Sequence, residues 1–152
     1  MIIPIVIIKQ VRHSKAKYDC KLSRPDDVAD LIFPLVRNID REVFIVIGLD
    51  SSNTPNVINT VSIGTLNSTY VSLREVFKSL ILSNCASFVC AHNHVSGSLI
   101  PSECDKEVTA KLRDAGNLLD IKLIDHLIIG HGKTFFSFYK SNLITKGVAY
   151  TE

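Results

Sequence analysis

The chain is poor in several features that would otherwise direct its reading. It has four cysteines, at positions 20, 85, 90 and 104, and no C-x-x-C pair among them. A disulfide framework is excluded, and a reduced, cytoplasmic setting is expected. Charge of one sign is also scarce: 17 Lys and Arg against 15 Asp and Glu leave a net +2, too little to argue for a polyanionic partner. The one basic gathering, Lys9, Arg12, Lys15, Lys17, Lys21 and Arg24, reads as a solvated loop. No apolar run approaches the roughly 20 residues of a membrane span. The opening Met1–Ile8 lacks a basic n-region and a small-residue cleavage site, so it reads as a buried strand and not a signal peptide. Internal repeats and low-complexity linkers are absent as well. At 152 residues the expectation is a single domain over 1–152, large enough to bury about two thirds of its extended-chain surface.

What is present alternates in type. Residues 2–11 are rich in Ile and Val and read as a strand. Pro25 suits the first turn of a helix, and Val28, Leu31, Ile32 and Leu35 recur at helical spacing until Pro34 kinks or ends it. Glu42 to Asp50 is a second strand, Ser51–Asn56 a turn, and 57–64 a third strand completing a hairpin. Ser72-Leu73-Arg74-Glu75 is a capping-box pattern opening a helix to about Asn84. Ala86–Ala91 is a short interior strand. Ser102 opens a helix with Val108, Leu112, Ala115 and Leu119 on one face. Lys122–Ile129 is a strand, Gly130–Lys133 a tight turn, and 134–138 a last strand. The order β-α-β-β-α-β-α-β-β implies an α/β fold with a mixed sheet and helices on its faces.

One stretch concentrates chemistry: Ala91-His92-Asn93-His94, then Ser102, then Asp105. Two imidazoles two residues apart on an extended chain point to the same side, and Asp105 arrives from the first turn of the next helix. Two His and one carboxylate with a fourth position open match a catalytic zinc site better than a closed structural one. Each half alone has a plain alternative. Ser102 reads equally as a helix N-cap with Asp105 completing a capping box, and His92 and His94 as exposed polar residues. A hydrolase also needs a base. Glu42, at the edge of a buried sheet, suits proton transfer, although a solvated charge at a strand start reads the same way. Cys90 shares the parity of His92 but reads as a buried thiol, Cys104 lies on a different helical face from Asp105, and His126 reads as hydrogen-bonded structure.

The pattern His92-Asn93-His94, Ser102 and Asp105, with Glu42 upstream, resembles the JAMM motif of JAB/MPN domains. Within them it is similar to the bacterial RadC-like branch, through Ser62-Ile63-Gly64-Thr65-Leu66-Asn67, Arg74-Glu75-Val76-Phe77, Asp125-His126 and Gly130. The resemblance implies a cytidine-deaminase-like α/β/α sandwich. It implies Zn²⁺ held by His92, His94 and Asp105, Glu42 handling the proton of a metal-activated water, and Ser102 donating to the oxyanion. Where the branch usually continues His-Pro-Ser-Gly-Asp-Pro, this chain has His94-Val95-Ser96-Gly97-Ser98-Leu99. A less rigid loop and an altered substrate preference are therefore expected. The N-terminal helix-hairpin-helix region of longer relatives is expected to be missing.

The expected function is a zinc-dependent metalloprotease or related hydrolase acting on a peptide or isopeptide substrate. The alternative is a DNA-repair-associated protein with a nucleic-acid or scaffold role, which the resemblance suggests but no nucleic-acid module or aromatic-basic stripe supports. A zinc deaminase would show H-x-E and P-C-x-x-C, and neither occurs. No membrane partner is expected, and the sequence leaves the oligomeric state open.

Overall fold

Val43–Ile47 is an unbroken apolar run, and such a run has to lie in a sheet covered on both faces. The computed structural model describes residues 21–64 and 71–144 and shows that arrangement. The described elements are α1 (Pro25–Val36), β1 (Glu42–Leu49), β2 (Pro55–Gly64), α2 (Leu73–Leu82), β3 (Ser87–Asn93), α3 (Glu103–Leu118), β4 (Lys122–Ile129) and β5 (Phe135–Ser137). They form a five-stranded sheet in the order β2-β1-β3-β4-β5. Among the described strands only β3 and β4 run parallel, joined through α3; the β1–β2 hairpin and the β1–β3 and β4–β5 pairs are antiparallel. The strand expected at 2–11, most of the basic run, and Thr65-Leu66-Asn67 lie outside the described residues.

The sheet separates two cores. On one face Val43, Ile45, Val89, Ala91, Leu127 and Ile129 pack under α1. On the other, Phe44, Val46, Phe88, Cys90 and Ile128 pack against α2 and α3. This is the expected α/β/α sandwich.

Several local expectations are corrected. α1 runs through Pro34 to Val36; the proline removes one helical bond, but Ile32 and Val36 on either side are buried and hold the helix. The Ser72 capping box does not form, because the Glu75 N–H already bonds the Ser72 carbonyl at 3.1 Å. α3 is rotated from the apolar stripe read in the sequence. Its buried residues are Asp105, Thr109, Leu112 and Gly116, while Leu119 is exposed. Gly116 sets this rotation, since a Cβ there would lie 2.5 Å from the Ile121 carbonyl oxygen.

One irregularity positions the site. Phe88 pairs with Leu123 but Val89 pairs with Asp125, so β4 carries one extra residue. Such a bulge slips the in–out alternation and re-aims the side chains beyond it. His126 therefore pairs with Cys90 and faces the same side as His92. Asp125 turns to the other side, where it accepts from the Ser137 hydroxyl at 2.6 Å and the Tyr139 N–H at 2.9 Å.

Candidate metal centre

β3 extends further than expected and contains His92 and Asn93, with His94 immediately after it. From the facing N-terminus of α3 comes Asp105, 2% exposed. The three side chains converge: one ligand atom from each of His92, His94 and Asp105 lies within 4.8 Å of the others. His92 Nε2 is 3.2 Å from Asp105 Oδ1, His94 Nε2 is 3.6 Å from Asp105 Oδ2, and the two Nε2 atoms are 3.0 Å apart. The far nitrogens are occupied. His94 Nδ1 donates to the Ser98 carbonyl at 2.8 Å, and His92 Nδ1 meets His126 Nε2 at 2.8 Å. Both imidazoles thus turn Nε2 inward. Two such nitrogens beside a carboxylate make a donor set suited to a cation, and the mix of two N and one O is that of an open, not a closed, divalent site.

The electrostatics agree. Burial pushes the Asp105 carboxyl up, but hydrogen bonds from His92 and His94 outweigh it and hold the group well below the usual carboxylate range. His94 is raised, first by its hydrogen bond to Asp105 and against the opposing effect of burial, with smaller contributions from the Ser98 carbonyl and the charge of Glu42. Asp105 thus draws positive charge into the site, whether proton or metal.

Ser102 and Asp105 also form the capping box. The Asp105 N–H donates to Ser102 Oγ at 3.1 Å, while Asp105 Oδ2 accepts from the Ser102 hydroxyl at 2.6 Å and its N–H at 2.7 Å. The structure shows the plain reading of Ser102, a capping box, and the cap also locks the carboxylate of Asp105. Glu42 opens β1 half-buried. Phe44 pairs with His92, so the register carried two residues further puts Glu42 across from His94. Glu103 and Glu107 are exposed and face away. Cys90 is buried, its thiol pushed well up by burial and then by Asp125; Cys104 is exposed.

Two supports were not read as such from the sequence. Asn93, between the histidines, accepts from the Val43 N–H at 2.9 Å and donates to the Arg41 carbonyl at 3.0 Å, gripping the backbone on both sides of Glu42. Thr109 lies against His126 at 2.6 Å. It stands four residues after Asp105, which was a signal that it shares that helical face. The loop after His94 makes hydrogen bonds of its own. The His94 N–H donates to the Ile129 carbonyl, the Gly97 N–H to the His94 carbonyl, and His131 Nε2 meets the Val95 carbonyl at 3.3 Å. Beside His94 lies a cavity of about 250 Å³ walled by Phe33, Val36, Ile39 and Ile129, with Arg37 at its side.

A mixed sheet between helix layers, carrying a His-His-Asp grouping at the end of its central strand, defines an α/β domain of the JAB type. The model of the RadC-like JAB domain matches residues 22–143, and the chain belongs to that family. It is similar to the UPF0758 protein of Rubrobacter xylanophilus (42% identical, over 81% of this chain and 53% of the relative). Similar relatives are those of Caldanaerobacter subterraneus (44%; 74% and 48%) and Methanosarcina mazei (45%; 74% and 49%). The chain spans about half the length of these relatives. None of its described helices is long and apolar enough to cross a membrane.

Proposed function

We propose that this domain is a zinc-dependent hydrolase of peptide or isopeptide bonds. His92, His94 and Asp105 hold the metal, Glu42 acts as general base and acid, and Ser102 is the oxyanion donor. The observation that carries this reading is the convergence of three ligand atoms within 4.8 Å, the third drawn in by a capped helix terminus. Zinc at such a site supplies a water of lowered pKa and polarises the scissile carbonyl. Glu42 takes the proton of the attacking water on its carboxylate and returns it to the leaving nitrogen, which departs as an amine. The Ser102 hydroxyl, at the rim of the site, turns from Asp105 towards the carbonyl oxygen as negative charge builds there, a contribution of roughly 3 kcal/mol for a well-placed donor. The cavity beside His94 takes an apolar side chain next to the scissile bond.

The test has two arms. Elemental analysis of the purified chain should find close to one zinc per molecule. Peptide mixtures incubated with the protein should show new termini by mass spectrometry, and Glu42→Gln should abolish them while keeping the metal. Loss of metal from Glu42→Gln would assign Glu42 the wrong role; a chain that binds no divalent ion would end the proposal.

A further inference from the structure

We infer that His126 and Thr109 are positioning residues that fix the ring tautomer of His92, so that one closed chain of hydrogen bonds aims His92 and Asp105 at a common point. The inference rests on the reading of His92 and Asp105 as ligands and adds two residues to it. The chain begins at the Asp105 backbone carbonyl, which can only accept. Thr109 Oγ1 lies 2.5 Å from it and places its single proton there. At its second contact, 2.6 Å from His126 Nδ1, Thr109 can then only accept, so His126 carries its proton on Nδ1. His126 is fully buried, stacked on Phe138 at 4.9 Å and met edge-on by Phe44 at 5.5 Å. Its two nitrogens touch a hydroxyl and another imidazole, surroundings that favour the neutral ring with one proton. His126 Nε2 is accordingly a bare acceptor. His92 Nδ1, 2.8 Å away, must donate to it, which leaves Nε2 as the nitrogen that His92 turns to Asp105.

The direction of every bond thus derives from one fixed acceptor, the carbonyl of Asp105 itself. The β4 bulge brings His126 to this face, and the spacing of one helical turn brings Thr109 beneath Asp105. A histidine ligand oriented through its other ring nitrogen is a better metal donor, and losing such an orienting group typically costs 10–100-fold in affinity. Neither residue touches the position a metal would take.

The experiment uses the full chain, stripped of metal. Ring ¹⁵N shifts should show His92 protonated on Nδ1. Thr109→Val removes the hydroxyl without changing shape; it should leave His92 as a mixture of tautomers and weaken Zn²⁺ binding by about 10–100-fold, while Thr109→Ser stays within about twofold. His92 bare on Nδ1 in the unaltered chain overturns the inference, as does Thr109→Val with unchanged tautomer and unchanged Zn²⁺ affinity. If Thr109→Val fails to fold, the tautomer of the unaltered chain decides alone. A chain that binds no Zn²⁺ yet holds His92 as the Nδ1–H form supports the hydrogen-bond chain and defeats the hydrolase, so the two failures are distinguishable.

Discussion

At the scale of single residues, the site is built from groups whose partners are already chosen. Asp105 uses one oxygen for its cap and turns the other to His92; each histidine has its outer nitrogen occupied. Asn93 extends this arrangement to Glu42, the base of the proposed reaction. Its amide satisfies Val43 N–H and Arg41 C=O, the backbone groups flanking Glu42, at the end of β1 where the ladder with β3 runs out. Asn93→Ala should therefore separate two properties. It leaves the buried Val43 N–H without its acceptor, a cost of about 1–3 kcal/mol, readable in urea unfolding. It should leave Zn²⁺ affinity near that of the unaltered chain while hydrolysis falls, because the ligands keep their supports and Glu42 loses its own. Equal loss of metal and hydrolysis would show that Asn93 supports the strand as a whole and not the base.

At the scale of elements, what was legible in the sequence depended on whether a face is apolar. β1 and β4 announce themselves as continuous Val, Ile and Leu, and the β1–β2 hairpin through its turn residues. The His92, His94 and Asp105 grouping was legible because its spacing is local. α3 was read one position out, because a period search counts Val108, Ala115 and Leu119 while the helix buries Asp105, Thr109 and Gly116. Polar residues on an inward face look like solvent residues until the site that needs them is known. The bulge in β4 was equally silent, since Ile124 and Asp125 carry no turn chemistry, yet it decides which way His126 faces. The rotation of α3 has a test of its own. Gly116→Ala puts a Cβ against the Ile121 carbonyl, backbone that cannot swing aside, and against Phe88 at 3.3 Å. Overpacking of this kind costs about 1–3 kcal/mol, more than the gain in helix propensity of about 1 kcal/mol or less. A lowered unfolding midpoint together with weakened Zn²⁺ binding is expected, since α3 also carries Asp105; a stabilised protein would mean that α3 is free to shift outward.

At the scale of the whole molecule, the site and the fold share a proton balance, and its signs differ from residue to residue. His126 is held well below the ordinary histidine value, first by burial and then by the charge of His92. Its contribution to stability is present above the unfolded value of about 6.5 and is lost as pH falls below it, because the unfolded chain takes up a proton that the folded one refuses. Asp105, also lowered, adds a loss at more acid pH, below the unfolded value of about 3.9. His94 is raised and runs the other way: its contribution is complete below about 6.5 and fades as pH rises through its folded value. The two windows adjoin near pH 6.5: as pH falls, His94 adds stability down to about 6.5 and His126 removes it below, so the metal-free chain should be most stable near that pH. Substitution uncovers the slopes. His126→Phe, placed between Phe44 and Phe138, removes the acid-destabilising group, so the loss below about pH 6.5 should disappear and stability should level off there. His94→Gln removes the gain above about pH 6.5, while below it stability should still fall by up to about 1.4 kcal/mol per pH unit through His126. Urea unfolding of the chelator-treated chain at pH 7.5, 6.5 and 5.5 reads all three. If His94→Gln were flat across that range, His126 would have to carry the same charge in the folded and unfolded chain, and its buried, neutral ring between two phenylalanines would have to be given up.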